Sequence, residues 1–389
     1  MLEYCLRKFR IFVERGVYRM SKLASERVAN ILNDWYIAIK QQDAESAEKY
    51  FEEIKPLLDE MEEDQEVLMY YSLLEERHRM LLYQVRGKEL PSHSYFNENH
   101  ADKIQKTDHM IEYYFYLFEA LYESYNRNFE SAISLFNIAE KKLSLIPDEI
   151  EAAEFYSKVA SMYMMLGQNI VSLNYITNAV NIYKNNENYL KKFATSLMVV
   201  AHNYTELGQY EKSEEHYLQA IKVAKKLDDS FFAAMIHHNL SITYSEAKRS
   251  QDCLNAIKHA LRNKDWCESS YYINSLYMIA KELVMMEENN KASYYLKKGQ
   301  ENLRQKQNKI YEAKINIIHE LSQCPLNERV DRIHSHMNRL AEQNDFDSIR
   351  DLALVTSKKF EERGLYKEAL KFSNKAILAE KKMKQLEGI

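Results

Sequence analysis

Apolar residues fall at helical spacing along most of this chain, in short patterns broken at regular intervals. From Ala194 to Lys226 it reads ATSLMVVAHNYTELGQYEKSEEHYLQAIKVAKK. Ala201 and Tyr204 lie on one helical pattern. Gly208 interrupts it, and Tyr210, Tyr217 and Ala220 follow in a second. The spacing predicts two amphipathic helices joined by a glycine turn, a hairpin that cannot bury its own apolar face and needs neighbours. The same marks return elsewhere. A small residue closing the second helix recurs at Ala139, Ala179, Ala220 and Ala260, at intervals of 40, 41 and 40. An aromatic of the first helix recurs at Tyr163, Tyr204 and Tyr244. Small residues recur at Ala120, Ala160, Ala201, Ser241 and Ala280, where paired helices must approach closely. A further unit carries Ala280, Ala292, Leu296 and Gly299, and a last one Gly364, Tyr366, Ala369 and Ala376. Residues 307–345 between them are helical in composition but off frame. The pattern resembles the tetratricopeptide repeat, lengthened beyond its usual ~34 residues.

Ahead of the repeats, residues 21–87 predict three helices. The first spans about Ser25 to Gln41, with Val28, Ile31, Leu32, Trp35, Ile37 and Ile39 as its apolar set. The second begins near Asp43, whose carboxylate suits an N-cap, and runs to about Met61, with a kink or early break expected at Pro56. The third runs from about Gln65 to Arg86. Met61-Glu62-Glu63-Asp64-Gln65 predicts a tight acidic corner between the last two. Residues 88–106, with Pro91, Ser92, Ser94, Asn97 and Asn99, read as a linker and hinge, and 107–389 as the repeat domain. Residues 1–20 read as an extension: five basic residues stand against Glu3 and Glu14, the uncharged runs are too short for a signal peptide or a membrane span, and Met20-Ser21 looks like a second start. The fold class expected is all-α: an N-terminal three-helix bundle joined by a linker to a tetratricopeptide repeat superhelix.

Composition narrows the chemistry. Seven Gly and four Pro in 389 residues leave little room for sheet turns or glycine-rich phosphate loops. A net charge of −5 lacks the basic excess of a general nucleic-acid binder. Cys5, Cys253, Cys267 and Cys324 show no paired metal spacing and fit reduced, mostly structural thiols in a cytoplasmic protein. His237-His238 and His334-Ser335-His336 are weak metal signals, since rings two residues apart on a helix diverge by about 200°. No metal site is expected. The first helix of each hairpin should line an inner groove, which places His202, Glu206, Met235, His238, Asn239, Glu246, Asn274 and Met278 there. An Asn amide can pair with peptide backbone, a Glu with a basic side chain, and Met adapts to varied apolar residues. The expected ligand is a short extended peptide with at least one basic residue.

The run MEEDQEVLMYYSLL from Met61, continuing to Arg77-His78, resembles the Rap family of bacilli, which are response regulator aspartate phosphatases and related inhibitors. Asn33-Asp34-Trp35-Tyr36, Glu112-Tyr113-Tyr114-Phe115 and Ile150-Glu151-Ala152-Ala153-Glu154-Phe155 agree. The resemblance implies that Gln65 is catalytic, entering the partner's active site and positioning water against an aspartyl phosphate. It implies that Glu63, Asp64, Leu68, Asp148 and Glu151 dock the response regulator receiver domain. The chain itself would carry no cofactor, the Mg²⁺ coming from the phosphorylated partner. Glu76 stands where relatives usually have an aromatic, a departure that bears on partner choice. The resemblance also implies a short secreted and re-imported signalling peptide of the Phr type, bound by Asn239 and by Glu206, 33 residues apart, with His202, Met235 and Asn274 beside them. Peptide binding would draw the bundle onto the repeats. The implied target is the intermediate response regulator of the sporulation phosphorelay. The alternative is a non-catalytic inhibitor that grips the DNA-binding domain of a transcriptional response regulator. Neither nucleic acid nor membrane is an expected partner; a homodimer is possible for such an array.

Overall fold

A computed structural model describes residues 23–86 and 109–386 of the chain. The extension 1–20 and the linker 88–106 lie outside the described residues. The chain divides into two compact units, 1–147 and 148–389.

The described residues of the first unit begin with α1 (Ser25–Gln41), α2 (Ala44–Glu60) and α3 (Gln65–Arg86). Val28, Leu32, Trp35 and Ile39, at helical spacing, form the buried stripe of α1; Ile37 lies off it and is exposed. Asp43 caps α2, accepting from the Ser46 amide at 3.1 Å. Pro56 does not break α2. The carbonyl deprived of a donor there belongs to Glu52, and both residues are exposed, so water can satisfy it. Trp35 is the centre of the bundle, with ring centroids of Phe51, Tyr71 and His78 at 5.4, 5.9 and 5.5 Å. Its Nε1 donates to His78 Nδ1 at 3.2 Å. Trp35→Phe should therefore cost about 1–3 kcal/mol in denaturant unfolding, because the buried His78 nitrogen loses that donor.

Among the described residues two more helices belong to this unit, α4 (His109–Tyr125) and α5 (Phe129–Leu143). Tyr114 of α4 meets Tyr36 at 4.8 Å edge-on and Tyr70 at 5.7 Å stacked, so α1, α3 and α4 share an aromatic seam. The first hairpin of the repeat pattern thus packs with the bundle.

The second unit is a stack of hairpins: α6 (Glu149–Met165) with α7 (Asn169–Lys184), α8 (Leu190–Glu206) with α9 (Tyr210–Lys226), and α10 (Ser230–Glu246) with α11 (Ser250–Ala260). After the short α12 (Lys264–Glu268) come α13 (Tyr272–Met285) with α14 (Asn289–Gln305), α15 (Lys309–Ser322) with α16 (Val330–Glu342), and α17 (Phe346–Glu362) with α18 (Tyr366–Leu386). Every small residue marking the sequence pattern from Ala120 to Ala280 is fully buried. So is a further set that the sequence reading noted only at Ala292: Ala132, Ser172, Ser213 and Cys253 occupy the same place in the preceding second helices. The Ser172 hydroxyl uses the close approach to donate to the Ala160 carbonyl at 2.8 Å. Gly167 and Gly208 turn their hairpins at φ 67° and 70°, a conformation that costs glycine little. The segment read as off frame, 307–345, is the α15–α16 hairpin. Its first helix begins 37 residues after that of the hairpin before it, and a longer connection separates its two helices, but Ile333, Met337 and Leu340 bury a regular stripe.

Candidate functional site

Two places gather the residues singled out by the sequence. The first is the corner between α2 and α3. Its backbone is pinned by a parallel bridge: Leu23 donates to the Glu60 carbonyl and Glu62 to the Leu23 carbonyl, both at 2.9 Å. Met61 is buried beneath it. Asp64 then caps α3, its Oδ1 accepting from Glu66 at 3.0 Å and Val67 at 3.2 Å. The carboxylate expected to dock a partner is thereby also a structural cap. Gln65 is exposed at the first position of α3, flanked by exposed Glu63 and Glu66. Leu68, one turn on, is 40% exposed. Gln65, Glu63, Asp64 and Leu68 therefore form one patch on a braced corner. A neutral amide held this way can accept from and donate to a water at once, and needs no shifted pKa to do so.

Asp148 and Glu151 belong to the second unit. Asp148 caps α6, accepting from Ile150 and Glu151 amides at 2.8 and 3.2 Å. Glu151 is 1% exposed, so its carboxylate is not offered to a partner in this conformation, contrary to the sequence reading. Glu76 is also buried: it pairs with Arg79 at 3.1 Å, and burial raises its pKa. Its carboxylate therefore lies inside the bundle.

The second place is the inner face of the repeats. Glu206 is exposed on α8, 4.0 Å from half-buried His202. Met235 and Asn239 follow half-buried on α10, and Asn274 on α13. The first helices of three successive hairpins thus carry the expected set. His238 and Met278 do not belong to it, because both are buried. The His238 ring lies 5.5 Å from Trp266 and hydrogen-bonds Ser275 Oγ at 3.1 Å. Burial lowers its pKa from 6.5 to about 4. Below pH 6.5 the unfolded chain takes up a proton that native His238 refuses, so stability falls as pH drops towards 4. His238→Gln should flatten that fall by about 3 kcal/mol between pH 7 and 4, measured by denaturant unfolding across pH.

Sequence reasoning missed α17. Burial raises the pKa of Glu206, which Arg350 opposes and Asp347 and Asp351 reinforce. Burial lowers the pKa of His202, which Asp347 opposes. Arg350 pairs with Asp347 at 2.7 Å and Asp351 at 2.9 Å. The charges at the start of α17 thus bear on His202 and Glu206 of α8. Acidic residues at the start of a late first helix were the available signal. Among the described residues no three His, Cys, Asp or Glu side chains converge in a metal-binding group. Among them, too, no helix is long and apolar enough to cross a membrane.

Comparison with known proteins follows the same division. Residues 22–83 match the family described as response regulator aspartate phosphatase H, N terminal, and residues 192–265 match the tetratricopeptide repeat. The regulatory protein RapK of Bacillus subtilis (strain 168) is 50% identical over 95% of this chain and 100% of its own length. Response regulator aspartate phosphatase I of the same organism is 30% identical over 96% of each chain. The crystal structure of a Rap protein complexed with competence and sporulation factor superposes with a TM-score of 0.77 at 26% identity, covering 93% of this chain and 99% of that one. With one relative half identical from end to end and both halves of the architecture matched, this chain belongs to the Rap family.

Proposed function

We propose that the chain is a response regulator aspartyl-phosphate phosphatase, with the intermediate regulator of the sporulation phosphorelay as its first candidate substrate, and that a short signalling peptide bound on the repeats inhibits it. The observation that carries this reading is Gln65: an exposed amide at a helix start, on a corner fixed by a backbone bridge and a cap. An acyl phosphate is already activated, so its hydrolysis needs a water held in line. Gln65 would orient that water, and Leu68 would pack against the receiver domain. The phosphoryl charge would be offset by the Mg²⁺ that the phosphorylated receiver carries. Glu206, Asn239, His202, Met235 and Asn274 would hold the peptide, which inhibits only if it binds a conformation that withholds the corner.

The test is loss of label from a phosphorylated receiver domain with Mg²⁺, with and without stoichiometric full-length chain. Accelerated loss supports the phosphatase. One observation favours a second reading: the half-identical relative bears the name regulatory protein. Under that reading the same scaffold binds the DNA-binding domain of a transcriptional response regulator and hydrolyses nothing. Unchanged label, together with a complex formed with such a domain, would decide for it.

A further inference from the structure

The seam that follows α14 is made differently from the one that follows α9. Ser213 of α9 and Ala292 of α14 occupy the same place in their hairpins, so Glu214 matches Ser293 and Ile221 matches Gln300. Glu214 accepts from the Tyr244 hydroxyl at 2.7 Å and pairs with Arg249 at 2.5 Å, and both partners belong to the next hairpin. Ile221 is buried. Ser293 and Gln300 grip nothing in this way: neither side chain bonds to a described residue. A cavity of about 340 Å³ lies there instead, walled by α14 and α15. It is not slack that the helices could take up by moving together. A Cβ added at Gly299 of α14 would lie 2.8 Å from Ile315 Cδ1 of α15, so beside the cavity the two helices already touch.

The walls carry an excess of donors. Lys297, Gln300 and Arg304 share one face of α14 and line the cavity with Ser293, Glu301 and, from α15, His319. Glu301 stands four residues after Lys297 and three before Arg304, the spacing at which helix ion pairs form. Neither cation pairs with it or with any other described residue. The half-buried His319 ring also bonds to none of them. Lys297 and Arg304 are about 10 Å apart along the helix axis, so their long side chains can close on one group from both sides. An arginine fork suits phosphate oxygens, and lysine adds a point charge. The volume is that of a small-molecule site. We propose that this gap binds a small phosphorylated molecule, with its phosphate held by Lys297, Arg304 and His319. Gln300 and Glu301 meet its hydroxyl-bearing remainder, since Glu301 can accept from a hydroxyl and would repel a second anion. The bound molecule fills the seam between the α13–α14 and α15–α16 hairpins.

Calorimetry on the full-length chain with glycerol 1-phosphate, glycerol and succinate tests this. Glycerol 1-phosphate should bind, and the other two should bind at least about tenfold more weakly. Lys297→Gln and Arg304→Gln should each weaken glycerol 1-phosphate about tenfold, while Lys297→Arg should stay within a few-fold of the unaltered chain. Both residues are exposed, so the fold should survive these changes. Hydrogen exchange locates the ligand: glycerol 1-phosphate should slow exchange in α14 and α15 and leave α8 and α9 unchanged. Succinate binding as tightly as glycerol 1-phosphate would overturn the phosphate assignment. Affinity that survives both Lys297→Gln and Arg304→Gln, or protection outside α14 and α15, would overturn the site. So would the absence of glycerol 1-phosphate binding at millimolar concentration.

Discussion

Gln65→Ala is expected to slow dephosphorylation of the receiver domain about a hundredfold or more while leaving its binding within a few-fold. A hundredfold corresponds to about 2.7 kcal/mol of transition-state stabilisation, a reasonable contribution from one group that orients the attacking water. Binding should survive because Gln65 is one exposed side chain on a patch that keeps Glu63 and Leu68. The fold should survive because the corner is held by other atoms: the Leu23 bridge to Glu60 and Glu62, and the Asp64 cap. The measurement is the rate of label loss at saturating chain, beside the affinity for the unphosphorylated receiver. Equal rates in the two proteins would remove Gln65 from the mechanism. Asp64→Ala separates the cap from the chemistry: it should destabilise the start of α3 by about 1 kcal/mol and lower both rate and affinity through a loosened corner.

The bundle and hairpins were legible because their marks are local. Val28, Leu32, Trp35 and Ile39 repeat at helical spacing, Asp43 announces a helix start, and a small residue is needed wherever two helices nearly touch. The intervals of about forty residues therefore survive even where Ser172 or Cys253 takes the place of alanine. The misreadings share a different cause. Whether a polar residue faces solvent depends on contacts distant in sequence, and helical spacing gives only its face. His238 follows the groove periodicity, yet Trp266 and Ser275 enclose it. Glu151 looks like a surface acid and is buried. The inner face of α17 was hidden for a third reason: from α13 onward the first helices begin 37 residues apart rather than about 40, so the last two hairpins were never aligned with the first three. Gln65 was legible only through the family resemblance. Its surroundings show an exposed amide on a rigid corner, and that geometry alone does not name a phosphate.

Glu154→Ala is expected to cost about 3–5 kcal/mol, the usual penalty for removing one partner of a buried ion pair. Glu154 Oε2 accepts from Lys192 Nζ at 2.7 Å and from the Tyr183 hydroxyl at 3.2 Å, and Oε1 lies 3.5 Å from Lys158 Nζ. All four side chains are buried, and they join α6, α7 and α8. Without the carboxylate, Lys192, only 4% exposed, keeps a charge without that counter-ion or gives up its proton at a cost in free energy. Because a repeat stack can unfold in parts, hydrogen exchange across α6–α8 is the sharper readout beside global denaturation. The double change Glu154→Leu with Lys192→Met should recover much of the loss, since neither charge of that pair then needs solvating. A cost below about 1 kcal/mol for Glu154→Ala would mean that the network contributes little. The network also matters for the groove, because α8 carries His202 and Glu206 at its far end. If Glu154 fixes the seating of α8, Glu154→Ala should weaken retention of arginine-containing pentapeptides at temperatures where the rest of the stack is intact, although Glu154 itself is buried away from any ligand.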